Sequence, residues 1–145
     1  MKEKVGTFYA ECAVTNHLDR TRTIEVKNIL VDTGSENTWI DADVLRGIGL
    51  TPEKKAVAFL TADGRTLERE VGFAIMHVGT RFTIDEVVFA QPGDLQILGA
   101  RTLEGLNLAV DPARKRLIAA GPMPAAATSC QGLEGTTASG SRRRA

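Results

Sequence analysis

Apolar and polar positions alternate over short stretches of the first 120 residues, and polar or glycine-containing turns separate these stretches. An apolar residue at every second position is typical of β-strands that bury one face. The pattern predicts strands over residues 7–14, 23–31, 56–61, 66–78, 81–89, 95–98 and 116–118. Many short strands with few helices indicate an all-β, barrel-like domain.

Two short segments fit a helix better than a strand. Residues 41–45 are predicted to form a helical turn, and residues 100–104 a short helix near the C-terminal end of the domain. Gly105 is interpreted as the residue that ends this second helix, since glycine is common at that position. Asp63 and Gly64 lie between two extended segments, and both tolerate positive φ, so they predict a tight hairpin turn.

The chain has 145 residues, which fits a single domain. Its composition changes at residue 121, where large apolar residues become rare and Gly, Ala, Ser and Thr dominate. Such a segment buries too little apolar surface to offset the entropy lost on ordering. We therefore predict a folded domain over residues 1–120 and a disordered low-complexity tail over residues 121–145.

Charge and cysteine content limit which partners and which cellular location we expect for the protein. The 18 basic and 18 acidic residues balance, which gives no electrostatic reason to expect nucleic acid as a partner. No apolar run approaches the ~18 residues of a membrane span, so we expect no membrane association. Cys12 and Cys130 are too far apart in sequence to suggest a disulfide framework, which favours a reducing, cytoplasmic location.

The residues with the clearest chemical potential follow the predicted strand that ends at Val31. Asp32 stands where an apolar strand gives way to a turn, and Thr33, Gly34 and Ser35 complete that turn. A carboxylate next to a core is costly unless it is hydrogen-bonded. Hydroxyl and backbone N–H groups of this turn are suitable donors, and Gly34 allows close approach because it lacks a Cβ.

A second apolar segment ending in glycine strengthens this motif. Val31-Asp32-Thr33-Gly34-Ser35, the Asp63-Gly64 hairpin, and Ile97-Leu98-Gly99 before a short helix together resemble the retroviral-type (retropepsin-like) aspartic peptidases, and most closely their bacterial and cellular relatives. The resemblance covers roughly residues 7–118.

The resemblance implies a closed, barrel-like acid-protease fold with one short C-terminal helix, present as one lobe per subunit of a homodimer. Asp32 of each subunit would form the catalytic pair, without metal or organic cofactor, and the substrate would be an extended peptide. Thr33, Gly34 and Ser35 would support the catalytic loop. Ser35 is expected to donate a hydrogen bond to Asp32, from which we predict an acidic pH optimum.

The resemblance also assigns roles to two further segments. The flap that closes over substrate would have its tip at Ala62, Asp63, Gly64 and Arg65, and Ile97, Leu98 and Gly99 would pack behind the catalytic loop. Retroviral flaps carry several glycines at the tip, whereas this one carries Gly64 alone.

Two questions stay open on the sequence. The domain is either an active aspartic endopeptidase or a non-catalytic dimerisation or peptide-binding module that keeps the same fold. Apolar residues near the motifs line side-chain pockets or belong to the core; they are Trp39, Ile40, Phe59 and Leu98.

Overall fold

The computed structural model describes residues 8–127, which fold mainly as β-strands. The strands are β1 (Phe8–Thr15), β2 (Thr23–Val31), β3 (Thr38–Asp41), β4 (Lys54–Leu60), β5 (Thr66–Val78), β6 (Arg81–Ala90), β7 (Ile97–Leu98), β8 (Leu108–Asp111) and β9 (Arg116–Ala119). The helices are α1 (Ala42–Gly47) and α2 (Ala100–Leu106). The prediction of an all-β fold with short helices is confirmed.

Six strands form a ring in the order β1-β2-β7-β3-β6-β5, which closes because β5 pairs back onto β1. The closure is uneven, since β7 contributes two residues and the β1–β5 contact involves three residue pairs. The ring is therefore not a regular barrel. The β8–β9 hairpin forms a separate two-stranded sheet.

The longest strand, β5, has 13 residues and pairs with two different strands along its length. Its first half, residues 66–71, pairs with β4 in an antiparallel hairpin, and its second half, residues 71–78, pairs with β6 inside the ring. Strand β4 lies at the end of the strand order, outside the ring. The hairpin of β4 and β5, whose tip was predicted as the flap, therefore extends from the ring of six strands.

Alternation along the strands builds the core inside the ring. On β5 and β6 the inward residues Ala74, Met76, Val87 and Phe89 are at most 1% exposed. Burying a large apolar side chain contributes roughly 1.5–3 kcal/mol. The two helices cover this core, because Leu45 of α1 and Leu103 of α2 belong to the same apolar cluster.

Some predicted boundaries are wrong for identifiable reasons. Helix α2 runs through Gly105 to Leu106, and Asn107 caps it in the left-handed conformation (φ 55°, ψ 46°). Gly105 instead allows α2 to approach β6, since a Cβ there would lie 2.4 Å from Oγ1 of Thr83. Strands β3 and β8 were not predicted, because four-residue strands leave little room for alternation to be seen.

Residues 120–127 carry no helix or strand, and the rest of the predicted tail lies outside the described residues. Cys130 falls in that part of the chain. None of the helices in residues 8–127 is both long enough and apolar enough to span a membrane.

Candidate active site

Asp32 lies directly after β2, where the chain leaves the barrel wall in a tight turn. The Gly34 N–H donates to Oδ1 of Asp32 at 2.9 Å, and the Ser35 N–H donates to the Asp32 carbonyl oxygen at 3.1 Å. A Cβ on Gly34 would lie 3.2 Å from Oδ1, so a small residue suits this hydrogen bond. Asp32 is half-buried, while Thr33 and Gly34 are exposed. The carboxylate accepts a hydrogen bond from its own turn and lies beside two exposed residues.

Strand β7 and the start of α2 hold this turn from behind. The Asp32 N–H donates to the Leu98 carbonyl at 3.2 Å, and the Ala100 N–H donates to the Ser35 carbonyl at 2.7 Å. Gly99 fits so closely that a Cβ there would lie 2.3 Å from the Asn37 carbonyl oxygen. Ile97, Leu98 and Gly99 therefore lie behind the Asp32 turn.

Ser35 bonds differently from the prediction. Its hydroxyl donates to the carbonyl oxygen of Asn37 at 3.1 Å, so its single proton is not directed at Asp32. The carboxylate receives the backbone N–H of Gly34 instead. The acidic optimum predicted from a Ser35–Asp32 hydrogen bond loses that basis.

The flap tip is a hairpin turn, but not the type that the Asp-Gly pair predicted. The Thr61 N–H donates to the Arg65 carbonyl at 2.8 Å, and the Gly64 N–H donates to the Thr61 carbonyl at 3.0 Å. Gly64 has a positive φ (+90°), but Asp63 does not. A two-residue turn of type I′ or II′ would require a positive φ at Asp63, its first central residue. The loop is therefore a longer turn closed by one left-handed glycine.

The charged side chains of the flap tip pair with each other. Ala62, Asp63, Gly64 and Arg65 are all exposed. The Arg65 guanidinium lies 3.0 Å from the Asp63 carboxylate, which also accepts from the Thr61 hydroxyl. The Thr61 hydroxyl and, after it, Arg65 lower the pKa of Asp63 below its usual value.

Aromatic side chains connect the flap to the barrel wall. Phe59 of β4 packs against Trp39 of β3, with ring centroids 5.1 Å apart and planes at 58°. Trp39 pairs in register with Ile97, and all three side chains are half-buried. Ile40 and Leu98 are 0% exposed and belong to the core. Of the four apolar residues left open, Trp39 and Phe59 remain candidates for a pocket wall.

An ion pair at the base of the flap was not foreseen. Arg69 of β5 forms a two-pronged contact with Asp94, with Nε to Oδ2 at 2.7 Å and Nη2 to Oδ1 at 2.9 Å. The Gln91 N–H also donates to Asp94, at 2.8 Å. The Arg69 hydrogen bonds are the largest influence that lowers the pKa of Asp94. In sequence, Asp94 directly follows Pro92 and Gly93, which are typical of a turn, and nothing local indicates its partner 25 residues away.

Within residues 8–127, no group of three or more His, Cys, Asp or Glu side chains is placed to hold a metal ion.

A family model described as aspartyl protease matches residues 23–102, which is more than half of the chain. The matched range includes β2, the Asp32 turn, the flap, β7 and the start of α2. No curated protein matches the chain.

Proposed function

Because the chain belongs to the aspartyl protease family, we propose that it is an aspartic endopeptidase whose catalytic pair is Asp32 and the partner subunit's Asp32. The observation that carries this proposal is the Asp32 turn. Its half-buried carboxylate is hydrogen-bonded within a turn whose residues Thr33 and Gly34 are exposed, and β7 and Gly99 pack behind that turn.

A second copy of the chain would supply the second carboxylate. The sequence contains one Asp-Thr-Gly segment, whereas the reaction uses two carboxylates. A two-fold axis beside the turn brings the same residue from both subunits together. Thr33 is exposed next to Asp32, which leaves its hydroxyl available for a contact across that axis.

The mechanism follows from the proximity of two like charges. Two adjacent carboxylates share one proton, because ionising both is electrostatically unfavourable. The ionised member acts as general base on a water molecule that attacks the scissile carbonyl carbon. The protonated member hydrogen-bonds to the carbonyl oxygen, and a proton then passes to the leaving amine.

An extended peptide is the substrate that this arrangement suits. Strand β4 lies at the end of the strand order, so the flap hairpin offers main-chain groups for an added strand. Trp39 and Phe59 are half-buried between the flap and the wall, where they suit contact with an apolar side chain of the peptide. A non-catalytic peptide-binding module would use the same residues of β4 and the flap without needing the carboxylate of Asp32.

The test compares wild type with Asp32→Asn in the cleavage of casein from about pH 4 to pH 7, with and without pepstatin. Asp43→Asn is the matched control, since Asp43 is an exposed aspartate on α1. We expect Asp32→Asn to abolish cleavage, and Asp43→Asn to leave it unchanged. Cleavage that persists in Asp32→Asn would refute the proposed role of Asp32.

The oligomeric state, measured by analytical ultracentrifugation, completes the test. Cleavage by a protein that stays monomeric at the assay concentration would contradict the shared pair. A dimer that binds peptide but does not cleave it would support the non-catalytic module.

A further inference from the structure

We propose that Thr38, Thr102 and Asp85 form a buried hydrogen-bonded relay that positions the Asp32 turn. The proposal rests on the proposed peptidase function and adds positioning residues to it. Thr38 and Thr102 are both 0% exposed, and their hydroxyl oxygens are 2.6 Å apart. Polar side chains buried this completely are usually retained only where all of their hydrogen bonds are satisfied.

The relay begins at Gly99 and ends at a carboxylate. The Gly99 N–H donates to Oγ1 of Thr38 at 3.0 Å, and the Thr102 hydroxyl donates to Oδ2 of Asp85 at 2.9 Å. Each hydroxyl has one proton. Since Thr102 gives its proton to Asp85, Thr38 must donate to Thr102. Every hydrogen bond therefore runs in one direction, from the Gly99 amide to the Asp85 carboxylate.

Asp85 is suited to terminate this relay as an anion. Its side chain is 12% exposed and lies 3.7 Å from the Arg101 guanidinium. The Glu86 N–H donates to its other oxygen at 2.7 Å. A carboxylate accepts hydrogen bonds at both oxygens, and bonds to an ionised acceptor are stronger than those between neutral groups.

The Gly99 end of the relay connects to the catalytic turn. Gly99 lies between Leu98, whose carbonyl accepts the Asp32 N–H, and Ala100, whose N–H donates to Ser35. Arg101 continues the contact, because its N–H donates to the Glu36 carbonyl at 3.1 Å. A displacement of Gly99 would therefore be transmitted to both sides of Asp32.

The Asp85 end connects to the wall that carries the flap. Asp85 lies on β6 opposite Ala74 of β5, and β5 continues into the flap hairpin. The relay thus links the Asp32 turn, which carries the proposed catalytic carboxylate, to β5 and β6, from which the flap hairpin extends. Loss of one hydroxyl leaves a buried donor or acceptor unsatisfied and permits this junction to shift.

The test removes one hydroxyl at a time while keeping side-chain shape. Thr102→Val and Thr38→Val delete the hydroxyls, Thr102→Ser restores one, and Thr15→Val is the control. Thr15 is also a buried threonine (4% exposed) with a hydroxyl partner, Thr23 at 2.9 Å, but it lies on β1 away from the turn. All variants are assayed at a temperature at which each is fully folded.

Thr102→Val and Thr38→Val are expected to lower kcat by about 10- to 100-fold, because small displacements of a reacting group are costly. KM should change by less than ~3-fold, since Trp39, Phe59 and the flap tip, which are proposed to contact the peptide, are unchanged. Thr102→Ser should recover most of kcat, and Thr15→Val should keep the wild-type value. Wild-type kcat in folded Thr102→Val, or an equal loss in Thr15→Val, would overturn the relay.

Amide hydrogen exchange separates failure of the relay from failure of the proposed function. If wild type cleaves nothing, the peptidase proposal fails, whereas the Gly99 amide still reports on the relay. Its exchange is expected to accelerate at least ~10-fold in Thr102→Val and not in Thr15→Val. Equal exchange in wild type and Thr102→Val would refute the relay whatever the activity.

Discussion

The Asp32 turn and the flap tip both follow a strand, but the residues that hold them in place lie in different parts of the chain. The Asp32 turn is fixed by β7 and α2, which lie more than 60 residues further along the chain and reach it at Gly99. The flap tip is fixed by hydrogen bonds among its own residues, between Thr61 and Arg65. One turn depends on the tertiary fold, and the other depends on local chemistry.

Each of the two regions contains a glycine, and the two glycines are required for different reasons. Gly99 has an ordinary extended backbone (φ −93°, ψ 177°) but no room for a Cβ. Gly64 has φ +90°, which disfavours any other residue, but nothing lies within 4 Å of an added Cβ. The same substitution thus tests packing at one site and backbone conformation at the other.

The largest effect is expected for Gly99→Ala. The new methyl group would meet backbone atoms of Asn37 at 2.3 Å and Ser35 at 2.9 Å, neither of which is a flexible side chain. Overpacking of this kind costs about 3 kcal/mol, and we expect cleavage to be lost as the Asp32 turn moves. Urea unfolding at fixed protein concentration, together with the casein assay, measures both effects.

Gly47→Ala is the control for that experiment. Gly47 ends α1 with nothing within 4 Å of an added Cβ and without a positive φ. It should be neutral or slightly stabilising, since alanine restricts the unfolded chain more than glycine does. A Gly99→Ala protein as stable and active as Gly47→Ala would show that the turn does not depend on close packing.

The sequence allowed the hairpin of β4 and β5 to be predicted, although not its turn type or the bounds of β4. The flap hairpin is local, and the run of residues 66–78 was predicted with the bounds that β5 has. The motif at Asp32 and the glycine at position 99 were also found, because both follow apolar strands. Their contact was expected only through the resemblance to a family, since no local pattern joins residues so far apart.

The next-largest predicted effect concerns the Arg69–Asp94 ion pair, whose contribution to stability depends on pH. Arg69 lowers the pKa of Asp94, so this carboxylate is more acidic in the folded than in the unfolded protein. Its stabilisation is present above the unfolded pKa of about 3.9 and is lost as the pH falls through the folded value. At pH 7, Asp94→Asn should cost about 2 kcal/mol, and the difference from wild type should shrink below about pH 4.

Chemical unfolding of wild type and Asp94→Asn at both pH values measures this change. Asp63→Asn is the control, because Asp63 also pairs with an arginine but at the exposed flap tip. Screening by water makes an exposed pair worth less, so its effect should be the smaller one at pH 7. A difference for Asp94→Asn that stays constant from pH 7 to about pH 3 would contradict the assigned pKa direction.

Residues that act across the fold were beyond sequence reasoning. Thr38, Thr102 and Asp85 lie on β3, α2 and β6, and they meet only when these three elements pack together. Each is an ordinary polar residue in its local context, with no motif to distinguish it. Gly105 was misassigned for a related reason, because its role is contact with Thr83 rather than helix termination.

The smallest effect is expected for Gly64→Ala, which probes the local chemistry of the flap tip. Alanine in the left-handed region costs roughly 1 kcal/mol, and the open space around Gly64 adds no steric penalty. Gly79→Ala is the control, since Gly79 also has a positive φ (+60°) and open space but lies in the β5–β6 turn. Both variants should lose similar stability, whereas Gly64→Ala alone should change kcat/KM for peptide cleavage, because the altered backbone lies at the tip of the flap. A stability loss for Gly64→Ala as large as that for Gly99→Ala would show that the tip is held by tertiary contacts after all.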